Sequence, residues 1–213
     1  AIHQQPVLKK AFIIIVLILI ADQAVKLWIK THMFLGESTP VFGHWFLIHF
    51  TENEGMAFGM RLGGNQGKLI LSLFRIVAVI LLTWWLYRIT RKPVKTGLVV
   101  CLSLIIAGAT GNIIDSAFYG MIFNDSTFNQ VATFFPPGGG YAPFLHGKVV
   151  DMFYFPIVSG YYPSWVPLFG GEDFIFFRPV FNVADSSITI GVLTLVIFQK
   201  KFFAKSGHPT PDS

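Results

Sequence analysis

Ala11-Phe12-Ile13-Ile14-Ile15-Val16-Leu17-Ile18-Leu19-Ile20-Ala21 is an unbroken apolar run, and Asp22-Gln23-Ala24-Val25-Lys26-Leu27-Trp28-Ile29 extends it with two charges four residues apart. A helix needs about 20 mostly apolar residues to cross roughly 30 Å of hydrocarbon, and residues 11–29 supply that length. Lys9 and Lys10 precede the run as they would precede a cleavable signal peptide, but no small-x-small site follows Ala21, so the segment is expected to be retained. Three further segments of similar character begin near Leu69, Gly97 and Phe181, giving expected spans at about 69–87, 97–115 and 181–198. With 53% hydrophobic and only 13% charged residues in 213, the chain is too apolar for an ordinary soluble domain. The expected fold is a mainly α membrane protein, one integral domain over 1–213, without internal repeats or low-complexity segments.

The net charge of +5 does not point to nucleic acid. The basic residues gather at Lys9 and Lys10, at Arg88, Arg91, Lys92 and Lys95, and at Lys200, Lys201 and Lys205, each group beside the end of an apolar segment. Such an alternation sets topology. It places both termini and the 88–96 loop in the cytoplasm, with 30–68 and 116–180 outside. Within the first outer segment, the apolar-rich stretch 42–50 and the Gly-containing stretch 53–59 suggest a small strand-and-turn platform over about 41–62. In the second, Pro136-Pro137-Gly138-Gly139-Gly140 breaks a loop at 134–147, and 152–178 is rich in Phe, Tyr, Trp and Pro, a composition suited to the headgroup level. Cys101 has no neighbouring His or second Cys and reads as packing, and the six histidines lack the spacing of a metal site. No metal or cofactor is expected.

Two carboxylates stand out. Asp151 follows Gly147-Lys148-Val149-Val150, and Asp185 closes Phe181-Asn182-Val183-Ala184, so both are expected at the outer edge of the bilayer, where a charge is expensive and usually functional. Brought close, two carboxyls share a proton; the ionised member then takes a proton from water while the protonated member polarises a peptide carbonyl. Spacing alone leaves open whether the two meet or act separately as caps. Asp22 and Lys26 share a helix face and form either a structural ion pair or a substrate-positioning one. Gly108-Ala109-Thr110-Gly111-Asn112-Ile113-Ile114-Asp115 offers small residues for close helix approach and an amide to bond across it. Asn53, Asn112 and Asn182 all fall on the outer side beside these carboxylates, and Arg75 lies near enough to the outer end of its span to snorkel.

In combination these elements resemble the bacterial type II signal peptidases, the lipoprotein signal peptidases. The matching segments are Asp22-Gln23-Ala24-Val25-Lys26, Asn53-Glu54-Gly55-Met56-Ala57-Phe58-Gly59, Gly108 through Asp115, Val149-Val150-Asp151 and Phe181-Asn182-Val183-Ala184-Asp185, in that order. The resemblance implies an aspartic endopeptidase that removes the signal peptide from diacylglyceryl-modified prolipoproteins, cutting before the lipidated cysteine. It implies a four-helix membrane fold with a small outer β-cradle, a site near the outer leaflet of the bacterial cytoplasmic membrane, inhibition by globomycin-type cyclic peptides, and a monomer in contact with membrane lipid. Asp151 and Asp185 take the catalytic positions. Asp22, Lys26, Asn53, Gly55, Ala57, Phe58, Gly108, Asn112, Asp115, Asn182 and Ala184 take the supporting ones. Two features depart from the family's pattern: Ser116 stands where an Arg usually follows the aspartate, and 116–147 and 156–180 are longer than the usual connections. The aromatic segment 152–178 is placed to form a lid or surface anchor.

A small transporter is the main rival reading, since intramembrane Asp and Lys also mark ion paths. No inverted repeat and no mid-span proline support it.

Overall fold

The computed structural model describes residues 4–54, 64–156, 158–161, 173–176 and 180–203. Helices α1 (Gln4–His32), α2 (Gly64–Ile89) and α3 (Thr96–Ile114) carry the first three apolar segments, and each is long and apolar enough to cross a membrane. The third segment does not end at Asp115 as its carboxylate suggested. A π-helical turn over Asp115–Tyr119 and the short α4 (Gly120–Ile122) carry it onward, so that the apolar stretch runs to Ile122. The carboxylate is tolerated there because a lysine from α1 meets it, and a π-turn inside a helix commonly marks a functional position. The fourth apolar helix, α5 (Val183–Ile197), is shorter than the other three and is followed by α6 (Gln199–Phe203). It starts after Asn182 rather than at Phe181, because the Asn182 side chain accepts the Asp185 N–H and caps the helix.

The outward faces of these helices are apolar: Phe12 and Leu17 on α1, Phe74 and Ile80 on α2, and Leu193 and Ile197 on α5 are all exposed. In water such a surface is a liability; against lipid chains it is the ordinary surface of a membrane protein. α3 lies at the centre, against α1, α2 and α5. Its glycines permit this. A Cβ on Gly108 would fall 2.2 Å from the carbonyl oxygen of Ala184, and one on Gly191 would fall 2.8 Å from that of Cys101, so α3 and α5 touch backbone to backbone.

The two segments expected outside the membrane form a four-stranded antiparallel sheet in the order β1 (Ser38–Phe42), β2 (Phe46–Asn53), β3 (Val149–Tyr154), β6 (Val180–Phe181). The hairpin of β1 and β2 lies where the platform was expected, and its turn uses Gly43 at φ +52°. The other two strands come from the distant segments that hold Asp151 and lead into Asp185. The sheet therefore belongs to the site as well as covering it. Two further strands, β4 (Val158–Tyr161) and β5 (Asp173–Phe176), pair with each other within the aromatic segment. Gly55, Ala57 and Phe58, and residues 157, 162–172 and 177–179 of the expected lid, lie outside the described residues. Phe50, Val150 and Met152 of the sheet pack with Ile29, Met33, Tyr119 and Phe123 in one buried cluster, which fixes the cradle on the C-terminal end of α1.

Candidate active site

Side chains alternate across a strand. Because Val150 and Met152 point into the core, Asp151 between them points to the opposite face, where it is buried. Register places Thr51 opposite Asp151 and Asn53 opposite Val149, so Asn53 lies on the diagonal, and its Nδ2 donates to Asp151 Oδ2. From the other side, Asn182 Nδ2 donates to Asp151 Oδ1 at 2.7 Å and also reaches the Val150 carbonyl at 3.2 Å. The Oδ1 of the same amide accepts the Asp185 N–H at 2.8 Å. One asparagine thus joins the two aspartates that sequence placed 34 residues apart. Asp185 Oδ1 in turn accepts from Asn112 Nδ2 at 2.8 Å.

Burial pushes the Asp151 carboxyl up to about 8, and the neighbouring charge of Asp185 pushes it the same way; Lys26, Asn182 and Asn53 offset only part of the shift. The shift favours the protonated carboxylic acid at neutral pH.

Beneath the pair lies a second, fully buried layer. Lys26 Nζ contacts Asp22 Oδ2 at 2.9 Å, Asp115 Oδ2 at 2.8 Å and Asn112 Oδ1 at 2.9 Å, with all three charged side chains essentially shielded from solvent. Asp22 Oδ1 accepts the Ala184 N–H at 2.8 Å, and Asp115 Oδ2 accepts the Val150 N–H at 3.3 Å. Each carboxylate thus holds the backbone one residue before a candidate catalytic aspartate. Gly111 makes room for this, since a Cβ there would lie 2.6 Å from Asp22 Oδ2.

Every supporting residue named from sequence that is described, namely Asp22, Lys26, Asn53, Gly108, Asn112, Asp115, Asn182 and Ala184, belongs to this network or to the α3–α5 contact that holds it. Gln23 was missed. Its Nε2 donates to Asp115 Oδ1 at 3.0 Å and Asp22 Oδ2 at 3.1 Å, and its Oε1 accepts from Tyr119 at 3.1 Å. Its position between an intramembrane Asp and Lys was the available signal. Ser116, in the place of the expected Arg, is buried and donates to the Asn112 carbonyl at 3.0 Å.

Lys30 was also missed, although it continues the Asp22, Lys26 spacing by one turn. It is buried against Glu52 of β2 and donates to Ser126 at 3.0 Å, with the rings of Phe123 and Tyr141 about it. Lys148 bonds Asp125 at 2.9 Å and approaches Glu52 at 3.6 Å. Residues 123–148 of the long connection are thus tied to α1 by the Lys30–Ser126 hydrogen bond and to the cradle by the Lys148–Glu52 ion pair.

The family model described as Signal peptidase (SPase) II matches residues 14–201. The chain belongs to the signal peptidase II family. It is 56% identical over 185 residues to the lipoprotein signal peptidase of Porphyromonas gingivalis, covering 86% of this chain and 80% of that one. The lipoprotein signal peptidase of Amoebophilus asiaticus is 34% identical over 191 residues, covering 88% and 76% of the two chains. Among solved structures, two titled as bacterial membrane enzymes determined by the in meso method match with TM-scores of 0.60 and 0.59. The first is 25% identical and covers 95% of both chains; the second is 28% identical and covers 91% of this chain and 94% of the other. As a member of the signal peptidase II family the chain is a peptidase, and its apolar helices embed it in a membrane.

Asn182 separates two roles within this signal peptidase II site. Asn182→Ala removes both the cap on α5 and the bond to Asp151, with an expected loss of about 1–2 kcal/mol of stability together with a fall in cleavage rate. Asn182→Ser keeps a capping oxygen but not the amide donor, so thermal unfolding should return toward the parent value while cleavage stays low. Equal recovery of both would show that the amide contributes only the cap.

Proposed function

We propose that this signal peptidase II cleaves diacylglyceryl-modified prolipoproteins just before the lipidated cysteine, using Asp151 and Asp185 as a proton-sharing pair. The observation that carries the reading is Asn182, which donates to Asp151 and caps Asp185 with the same amide. Asp151 holds the shared proton and Asp185 is the carboxylate. Asp185 takes a proton from a water as its oxygen attacks the scissile carbonyl, and Asp151 donates a hydrogen bond to the oxygen that gains charge. When the C–N bond breaks, the proton taken up by Asp185 passes to the departing amine. Lys26, Asp22 and Asp115 stay in place and fix the backbone beside each acid.

The alternation of basic clusters supports a site near the outer leaflet of the bacterial cytoplasmic membrane, with both termini cytoplasmic. An acyl-modified substrate presents its chains at that depth, beside the lipid-facing helices. Globomycin-type cyclic peptides would act at the same pair, on a monomer. The aromatic segment 152–178 would lie over it as a lid or surface anchor.

The test uses one prolipoprotein with and without its diacylglyceryl group, incubated with purified enzyme and examined by mass spectrometry. A new amino terminus at the lipidated cysteine, formed only from the modified substrate, is the expected result. Equal cleavage of both forms would remove the lipid from the account.

A further inference from the structure

Arg75 has no part in the chemistry proposed above, yet an arginine within a membrane helix is costly and calls for a reason. Its neighbours Leu73, Phe74 and Val77 are exposed on the lipid side, whereas Arg75 is half-buried. It lies on the stripe Lys68, Ser72, Arg75, Val79, Leu82 and Leu86, whose steps of three and four make one face of α2. At the outer end of that face, Lys68 Nζ bonds Glu54 at 2.8 Å, and Ser72 Oγ donates to the Leu145 carbonyl at 3.2 Å, close to the start of β3. At the inner end, Val79, Leu82 and Leu86 join the cluster of Leu98, Val99, Leu102 and Ile106 from α3. Two antiparallel helices with the same rise per residue therefore set Arg75 beyond Ile106, level with the turn that carries Gly108 and Asn112. Asp185, Asp115 and Asp151 are the charges that act on it, Asp185 most strongly.

The pair has need of such a charge. Among the described residues, the charged groups around it are Asp22 and Lys26 of α1, Asp115 at the end of α3, and Arg75 of α2. Lys26 already meets two carboxylates, Asp22 and Asp115, and is committed to that buried triad. The remaining nearby cations are paired elsewhere: Lys68 with Glu54, Lys30 with Glu52, and Lys148 with Asp125. Ser116 brings no charge at the next position along α3 and bonds the Asn112 carbonyl instead.

We infer that Arg75 is a positioning residue that faces Asp185 from α2 and holds it as the carboxylate of the pair, leaving the shared proton on Asp151. This rests on the reading of Asp151 and Asp185 as the catalytic pair. Without the cation, the carboxylate of the pair loses its counter-charge. The acidic limb of the rate profile moves upward.

The experiment measures kcat/KM on a lipidated prolipoprotein between about pH 4 and 9 for the parent, R75Q and R75K, with folding checked by thermal unfolding. In R75Q the acidic limb moves up by about one pH unit; in R75K, which keeps the charge, it stays within about half a unit of the parent. If R75Q is silent at every pH, R75K with the parent limb supports the inference. An R75Q limb that coincides with the parent overturns it, as does an R75K protein that is folded and equally silent, or one that does not fold at all. D151N and D185N run alongside. Retained cleavage in those two overturns the catalytic pair itself, whereas their loss with an unmoved R75Q limb overturns only the role of Arg75.

Discussion

Asp151→Asn and Asp185→Asn each lower cleavage of a lipidated prolipoprotein by about 10³-fold or more, with the folded protein retained. An asparagine at 185 still accepts from Asn112 Nδ2 through its amide oxygen, so the site keeps its shape while losing the group proposed to take a proton from water. At 151 the change is less gentle. Both oxygens of Asp151 accept amide donors, from Asn182 and Asn53, and an asparagine there turns one amide against another. A loss of about 1–3 kcal/mol accompanies it, so thermal unfolding must be measured beside cleavage. An alkaline limit is also expected of the parent enzyme. With the Asp151 carboxyl at about 8, the proton proposed to serve the carbonyl is lost as pH rises through that value, and the rate should fall. Full activity of either variant, or a rate that climbs steadily past that pH, would contradict the pair.

Lys26→Met produces the largest loss of stability. It leaves Asp22 and Asp115 buried without their counter-charge and takes the Nζ bond from Asn112 Oδ1. Removing one partner of a buried ion pair costs about 3–5 kcal/mol. Because Asp22 and Asp115 hold the Ala184 and Val150 N–H groups, the distortion also reaches the backbone beside both proposed catalytic aspartates. Adding Asp22→Asn and Asp115→Asn to Lys26→Met removes the stranded charges and should restore most of the stability. Cleavage should remain impaired, since Asn112 has lost the contact that aims it at Asp185. A Lys26→Met protein that unfolds with the parent would show that the triad carries little of the fold's energy.

Much of the membrane architecture can be read from short-range pattern. The run 11–21, the apolar stretches of α2 and α3, and the basic clusters beside them are local signals, and α1, α2 and α3 follow from them. The end of the third span was misread for the opposite reason. Asp115 looks like a boundary until Lys26 of another helix is known to neutralise it, and no local pattern carries that pairing. The cradle divides in the same way: the β1–β2 hairpin is local, while β3 and β6 join it through long-range pairing. Asp22, Asn112 and Asn182 could be singled out as costly polar residues in apolar surroundings. Arg75 met the same criterion, but a position near a helix end made snorkelling a sufficient explanation until the packed face of α2 was seen. Gln23 and Lys30 were hidden because their partners, Asp115 and Glu52, lie on other elements.

The central claim is that Asp151 carries the proton shared with Asp185. Infrared difference spectroscopy of the folded enzyme, parent against Asp151→Asn, with the aspartates labelled at the carboxyl carbon, reads it directly. A protonated-carboxyl stretching band present in the parent at neutral pH, absent from Asp151→Asn, and bleaching as pH rises through about 8 is the predicted result. A parent spectrum at neutral pH that matches Asp151→Asn in this region, showing Asp151 already ionised, would contradict it.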